Sequence, residues 1–99
     1  MNLWLVMPFL RTKDLVKLAQ CAEELGLEGV AVGDHVCVPA HVASVYPYSG
    51  QTADLPVGTE FPDPIGLSAA LGASTTALRF MTYVLLVPLR HPVLLAKRG

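Results

Sequence analysis

The stretch Leu78-Arg79-Phe80-Met81-Thr82-Tyr83-Val84-Leu85-Leu86-Val87-Pro88-Leu89-Arg90-His91-Pro92-Val93-Leu94-Leu95-Ala96-Lys97 constrains the fold more than any other part of the chain. Its first half, Leu78 to Val87, is an almost unbroken apolar run, which predicts a strand buried on both faces, the habit of parallel sheets. A short turn follows. Pro92 then opens a helix at the position where the missing proline N–H is tolerated. The sequence ends at Gly99, about two turns into that helix, so Val93, Leu94 and Leu95 have no obvious surface to cover. The expectation is the opening segment of something larger.

Composition points the same way. The 99 residues are 53% hydrophobic and 15% charged, where about 25% charged is ordinary for a soluble domain. A chain this short leaves a large share of its surface exposed, so its burial should be completed by further chain or a partner. Net charge is −1 without a Lys/Arg cluster, which argues against nucleic acid or an anionic membrane as partner. Cys21 and Cys37 form no disulfide framework and no metal spacing; they read as buried free thiols in a reducing compartment. The run Leu3 to Leu10 has no basic residue before it and no small-residue cleavage site after it, so it is a strand candidate and not a signal peptide. No stretch approaches the ~20 apolar residues of a membrane span. The expected location is the cytoplasm.

Along the chain, Leu3 to Pro8 is a short strand closed by proline. Thr12 can cap the next helix, in which Leu15, Leu18, Ala19, Ala22 and Leu25 recur at helical spacing and form a core stripe. Gly26 sits where a helix C′ glycine belongs. Gly29 to Gly33 is a second strand. Residues Val36 to Pro62 hold four prolines and two glycines without periodicity, and a connection this long is usually functional. It should lie over the C-terminal ends of the strands. Asp63-Pro64 is a strong helix start, and that helix runs to about Thr75. Strand three and the His91-Pro92 helix complete the order β-α-β-loop-α-β-α. No Gly-x-Gly-x-x-Gly follows the first strand, which disfavours a dinucleotide fold. The architecture expected is an α/β segment, βαβαβα with parallel strands, from a (β/α)8 TIM barrel, whose ~250 residues would supply this much in their first third. Residues 1–99 then form one incomplete domain.

In such barrels the chemistry gathers at the C-terminal ends of the strands. This selects Met7-Pro8-Phe9, Gly33-Asp34-His35 and Val84 to Leu89. Two readings of Asp34-His35 stay open. A strand-end histidine acts as acid or base near neutral pH; alternatively Asp34 fixes the turn through backbone amides and His35 is a surface residue. His41 reads as a solvated loop residue and His91 as a cap before Pro92. The histidines form neither His-x-His nor His-Glu-x-x-His, so no metal site is expected. Tyr46 and Tyr48, in Tyr46-Pro47-Tyr48-Ser49, either lay their rings on a substrate or pin the long loop to the barrel rim.

The text Ala22-Glu23-Glu24-Leu25-Gly26-Leu27-Glu28-Gly29-Val30-Ala31-Val32-Gly33-Asp34-His35, the proline-rich loop that follows it, Asp63-Pro64 and the run Pro88-Leu89-Arg90-His91-Pro92-Val93-Leu94-Leu95-Ala96-Lys97 together resemble the luciferase-like monooxygenase family. The likeness covers nearly the whole chain and is closest to the deazaflavin-dependent branch. It implies an oxidoreductase acting on a small molecule with reduced flavin mononucleotide (FMN) and oxygen, or with 8-hydroxy-5-deazaflavin for hydride transfer. The full-length protein would be a homodimer. The resemblance makes His35 the catalytic acid or base and puts Asp34 beside the cofactor ring. It also implies a non-proline cis peptide at Tyr83-Val84, behind the ring, and so places Thr82, Tyr83 and Val84 on the cofactor side. Tyr83 is bulkier than the small residue common there. Two alternatives stand beside this reading: a metal-dependent barrel isomerase of the sugar-phosphate type, and a truncated, non-catalytic remnant.

Overall fold

The computed structural model describes residues 2–37, 39, 41–51 and 58–98. Three parallel strands form one sheet in the order β1-β2-β3: β1 is Trp4–Val6, β2 Gly29–Val32 and β3 Arg79–Thr82. Helix α1 (Thr12–Glu24) joins the first two strands, and α2 (Pro64–Ala73) precedes the third. A 3-10 turn (Val87–Leu89) and α3 (Pro92–Arg98) follow β3. The expected order of elements is therefore observed. The described residues build an open α/β sheet, not a closed barrel. Among them, no helix is long and apolar enough to cross a membrane.

Register decides which side chains meet. Leu5, Val30 and Phe80 lie in one row across the sheet. They face the helices, where Leu15, Ala19 and Ala22 of α1 and Leu67 and Leu71 of α2 complete the core with Met7, Val32 and Leu78. The opposite face holds the rows Trp4–Gly29–Arg79 and Val6–Ala31–Met81, and no described element covers it: Val6 is 56% exposed and Met81 43%. Only β2, paired on both sides, is buried along its whole length.

Gly29 has a steric reason to be glycine. A Cβ there would run into the backbone carbonyl of Arg79 and the Trp4 ring. The ring lies across this position, with the Arg79 guanidinium 6.0 Å from its centroid and that guanidinium paired to Glu28 at 2.8 Å. Gly29→Ala is therefore expected to destabilise the fold by about 1–3 kcal/mol, the usual range for overpacking. A urea midpoint unchanged from the parent would contradict this.

Several local expectations hold. Gly26 takes φ +79 after α1. The Leu27 N–H reaches the Ala22 carbonyl and the Gly26 N–H the Glu23 carbonyl, both at 3.0 Å, a Schellman closure. Asp63 caps α2 by accepting the Gly66 N–H at 2.9 Å, and Pro64 follows it in the first turn. The Tyr83–Val84 peptide is cis, as the resemblance implies.

Others are corrected. Strand three stops at Thr82 instead of Val87: the Tyr83 N–H on the Val32 carbonyl is the last ladder bond, the chain bends at Tyr83 and Val84, and the Leu86 N–H goes to the Asp34 carboxylate instead of a neighbouring strand. It is also half-exposed, since its far face is uncovered. Leu25 is 74% exposed: the helix ends at Glu24, and the turn at Gly26 sends Leu27 to the core in its place. Thr12 does not cap α1 with its own side chain. It is the first helical residue, and its N–H and hydroxyl both donate to Glu60 from the end of the long connection, at 2.6 and 2.7 Å. The cysteines are free but exposed, Cys21 on the outer side of α1 and Cys37 in the loop after β2.

Candidate functional site

The sequence offers a single cation in the apolar run after β3, and the fold brings it to two carboxylates. Arg90 grips Asp34 with both arms of its guanidinium: Nη1 donates to Oδ2 and Nη2 to Oδ1, the latter at 2.9 Å. Nη2 also donates to Asp63 Oδ1 at 3.1 Å, and Nη1 to the Leu86 carbonyl at 3.2 Å. Asp34 Oδ2 accepts the Leu86 N–H at 2.8 Å as well. The Asp34 side chain is 1% exposed and that of Arg90 14%. A buried carboxylate of this kind is stable only when paired and fully hydrogen-bonded, which is the case here. This one knot joins the end of β2, the segment after β3 and the start of α2.

His35, the next residue, is exposed, and its ring sits among aromatic neighbours. The Phe61 ring centroid is 4.4 Å away and that of Phe9 6.3 Å, while Phe9 and Phe61 meet edge-on at 5.2 Å. Three separate segments make this cluster: the exit of β1, the exit of β2 and the returning end of the long connection. Glu60 anchors that last segment on the first turn of α1 through Thr12. A cleft lined by Met7, Leu15, Val32 and Leu67 lies beneath Phe9 and Phe61. Its free space is about 40 Å³, room for a water molecule and not for a polycyclic ring.

The remaining residues selected from sequence are distributed as follows. Thr82 ends β3 opposite Val32, and Tyr83 extends the ladder by one bond, its N–H donating to the Val32 carbonyl at 2.7 Å. Tyr83 is 63% exposed and Val84 60%. Tyr46 and Tyr48 stack edge-on with each other at 5.5 Å and both face solvent. Residues 38, 40 and 52–57 of the long connection lie outside the described residues, so its expected course over the strand ends is seen only at Glu60 and Phe61. Asp34 and His35 thus share a strand end but do different things: one carboxylate faces inward to Arg90, and one imidazole faces out to the aromatic rings. Arg90, Glu60 and Phe61 were not selected from sequence. For Arg90 a signal existed, because a lone cation amid apolar residues demands a partner.

Among the described residues, four carboxylates are held below their usual range. Arg90 does this for Asp34, followed by the Leu86 N–H. The Gly66 N–H leads for Asp63, with Arg90 adding to it. The Ala77 N–H leads for Glu23, supported by those of Thr76 and Leu78, and Thr12 does so for Glu60. Each lowered group binds fewer protons folded than unfolded. Its contribution is complete above the ordinary carboxylate range of about pH 4 and is lost as pH falls through the lowered folded value. Stability is therefore expected to hold from neutral pH to about pH 5 and to fall steadily below pH 4. Urea midpoints that stay level from pH 7 to pH 3 would contradict this.

The family model described as luciferase-like monooxygenase matches residues 7–98. An uncharacterized protein of Mycobacterium bovis and uncharacterized proteins of two Mycobacterium tuberculosis strains are each 38% identical over 85 residues, covering 85% of this chain and 30% of their own. The chain thus spans about 30% of the length of the curated relatives it matches. No solved structure matches it significantly. The family is one of enzymes that generally use flavin-type cofactors. The family match runs over nearly the whole chain, and on it the chain belongs to the luciferase-like monooxygenase family.

Proposed function

We propose that this chain supplies the first strands of a (β/α)8 barrel oxidoreductase whose cofactor is FMN or 8-hydroxy-5-deazaflavin and whose substrate is a small organic molecule. The observation that carries the reading is the exposed His35, its ring against Phe61 with Phe9 beyond, at the C-terminal end of the central strand. The residues present fit the ring of such a cofactor. Phe9, Tyr83 and Val84 are each about 60% exposed at neighbouring strand ends, and flat aromatic and aliphatic surfaces of this kind suit a planar heterocycle. When bound, the cofactor supplies the redox chemistry itself, as hydride transfer or as oxygen activation.

This chain's own residues then have defined tasks. His35 holds or takes the proton that accompanies the redox step, at an imidazole nitrogen, the acid–base role histidine side chains commonly fill. Asp34 anchors the strand end through Arg90 and Leu86. Phe9 and Phe61 exclude water from one side of the imidazole, and Thr82, Tyr83 and Val84 form the adjoining backbone wall. Tyr46 and Tyr48 belong to the substrate side.

The test is the complete protein purified from a host that makes both cofactors. It is expected to carry a chromophore with flavin or deazaflavin absorbance that denaturation releases. A colourless protein that takes up neither compound at micromolar concentration would refute the reading.

A further inference from the structure

We infer that Arg90 is a positioning residue for His35, acting through Asp34; this rests on the reading of His35 as the acid or base. The argument starts from what the ion pair joins. Asp34 and His35 are adjacent on the strand end, so the backbone that aims the imidazole is the backbone that carries the buried carboxylate. That carboxylate has two anchors, and both lie after β3: the Arg90 guanidinium and the Leu86 N–H. Arg90 itself is held in place by the Leu86 carbonyl and by Asp63, the cap of α2. Two residues before that cap stands Phe61, whose ring meets the imidazole at 4.4 Å. A single guanidinium thus fixes His35 from its own strand and fixes the start of the helix that follows its aromatic neighbour.

The geometry demands arginine and not merely a positive charge. Two parallel donors meet both Asp34 oxygens while one arm turns to Asp63 and the other to Leu86. An ammonium is a point donor on a flexible stem and cannot reproduce this planar fork. With lysine the charge balance would survive, but the orientation of the strand end would not. This separates a positioning role from plain charge neutralisation.

The experiment uses the complete protein with isotopically labelled histidine, and reads the His35 ring signals by NMR with Leu71 methyl signals as the folded-core control. In the parent, the His35 ring protons are expected to be displaced by the ring currents of Phe9 and Phe61. In Arg90→Lys they are expected to move towards the positions of a free histidine while the Leu71 signals stay, and kcat is expected to fall by about tenfold with cofactor affinity within several-fold. Unmoved His35 signals in folded Arg90→Lys would overturn the inference. Should Arg90→Lys lose the core signals, the double variant Asp34→Asn with Arg90→Gln removes both buried charges together. It is expected to keep the core and still shift His35; His35 in its parental position there would overturn the inference, as would loss of the core in both variants. If the parent binds neither FMN nor deazaflavin, the functional reading fails, and the His35 signals still decide the role of Arg90.

Discussion

His35→Ala in the complete enzyme is expected to lower kcat by at least about 100-fold while cofactor affinity stays within several-fold. A positioned acid or base is typically worth 10²–10⁴-fold in rate, roughly 3–5 kcal/mol of barrier. The imidazole suits that work by placement: it is exposed, it follows the central strand, and two aromatic rings limit where it points. Affinity should change little because the planar surfaces offered by Phe9, Tyr83 and Val84 remain. Steady-state kinetics on the physiological substrate, paired with a binding titration, checks both halves. Near-normal turnover would make His35 a rim residue. If the complete enzyme proves to use flavin and oxygen, a smaller effect is expected, because the cofactor and oxygen then carry more of the chemistry themselves.

Arg90→Met should lower Tm by about 10 °C at neutral pH, the largest stability effect expected of any single substitution here. The variant strands the Asp34 carboxylate, 1% exposed, leaving it the Leu86 N–H as its remaining partner among the described residues. Removing one partner of a buried pair is far more damaging than removing both. Two further outcomes follow. The deficit should shrink on acidification, because a buried carboxylate without its cation has its pKa raised and takes up a proton to relieve the cost. The added substitution Asp34→Asn should recover much of the loss, since the two residues are in direct contact and their effects cannot be additive. Thermal melts of the parent, both single variants and the double variant give the coupling. Additive losses would mean that the ion pair contributes little.

What was readable from sequence was local. The Asp63-Pro64 start, the Gly26 stop and the Pro92 start rest on one or two residues whose backbone preferences need no distant partner, and all three appear where expected. The parallel order was readable because the apolar strands alternate with helical spacing. What failed depends on residues far apart in sequence. Asp34 meets Arg90 across 56 positions and Thr12 meets Glu60 across 48; the lone Arg90 asks for a partner, but no local pattern says which. Strand three is shorter than its apolar run for the same reason: the run continues to Val87, but the chain bends at Tyr83 and Val84 and the Leu86 N–H finds a carboxylate from the end of β2. Leu25 and the two cysteines were misassigned because composition says which residues prefer burial, not which face of a finite helix or loop has something to bury them.

The most direct test of the central claim is a structure of the complete protein soaked with FMN or 8-hydroxy-5-deazaflavin. The account predicts the cofactor ring at the C-terminal ends of β1, β2 and β3, in contact with residues 33–35 and 82–84, with Asp34 still gripped by Arg90 behind it. A ring bound away from those strand ends, with His35 facing only solvent, would contradict it.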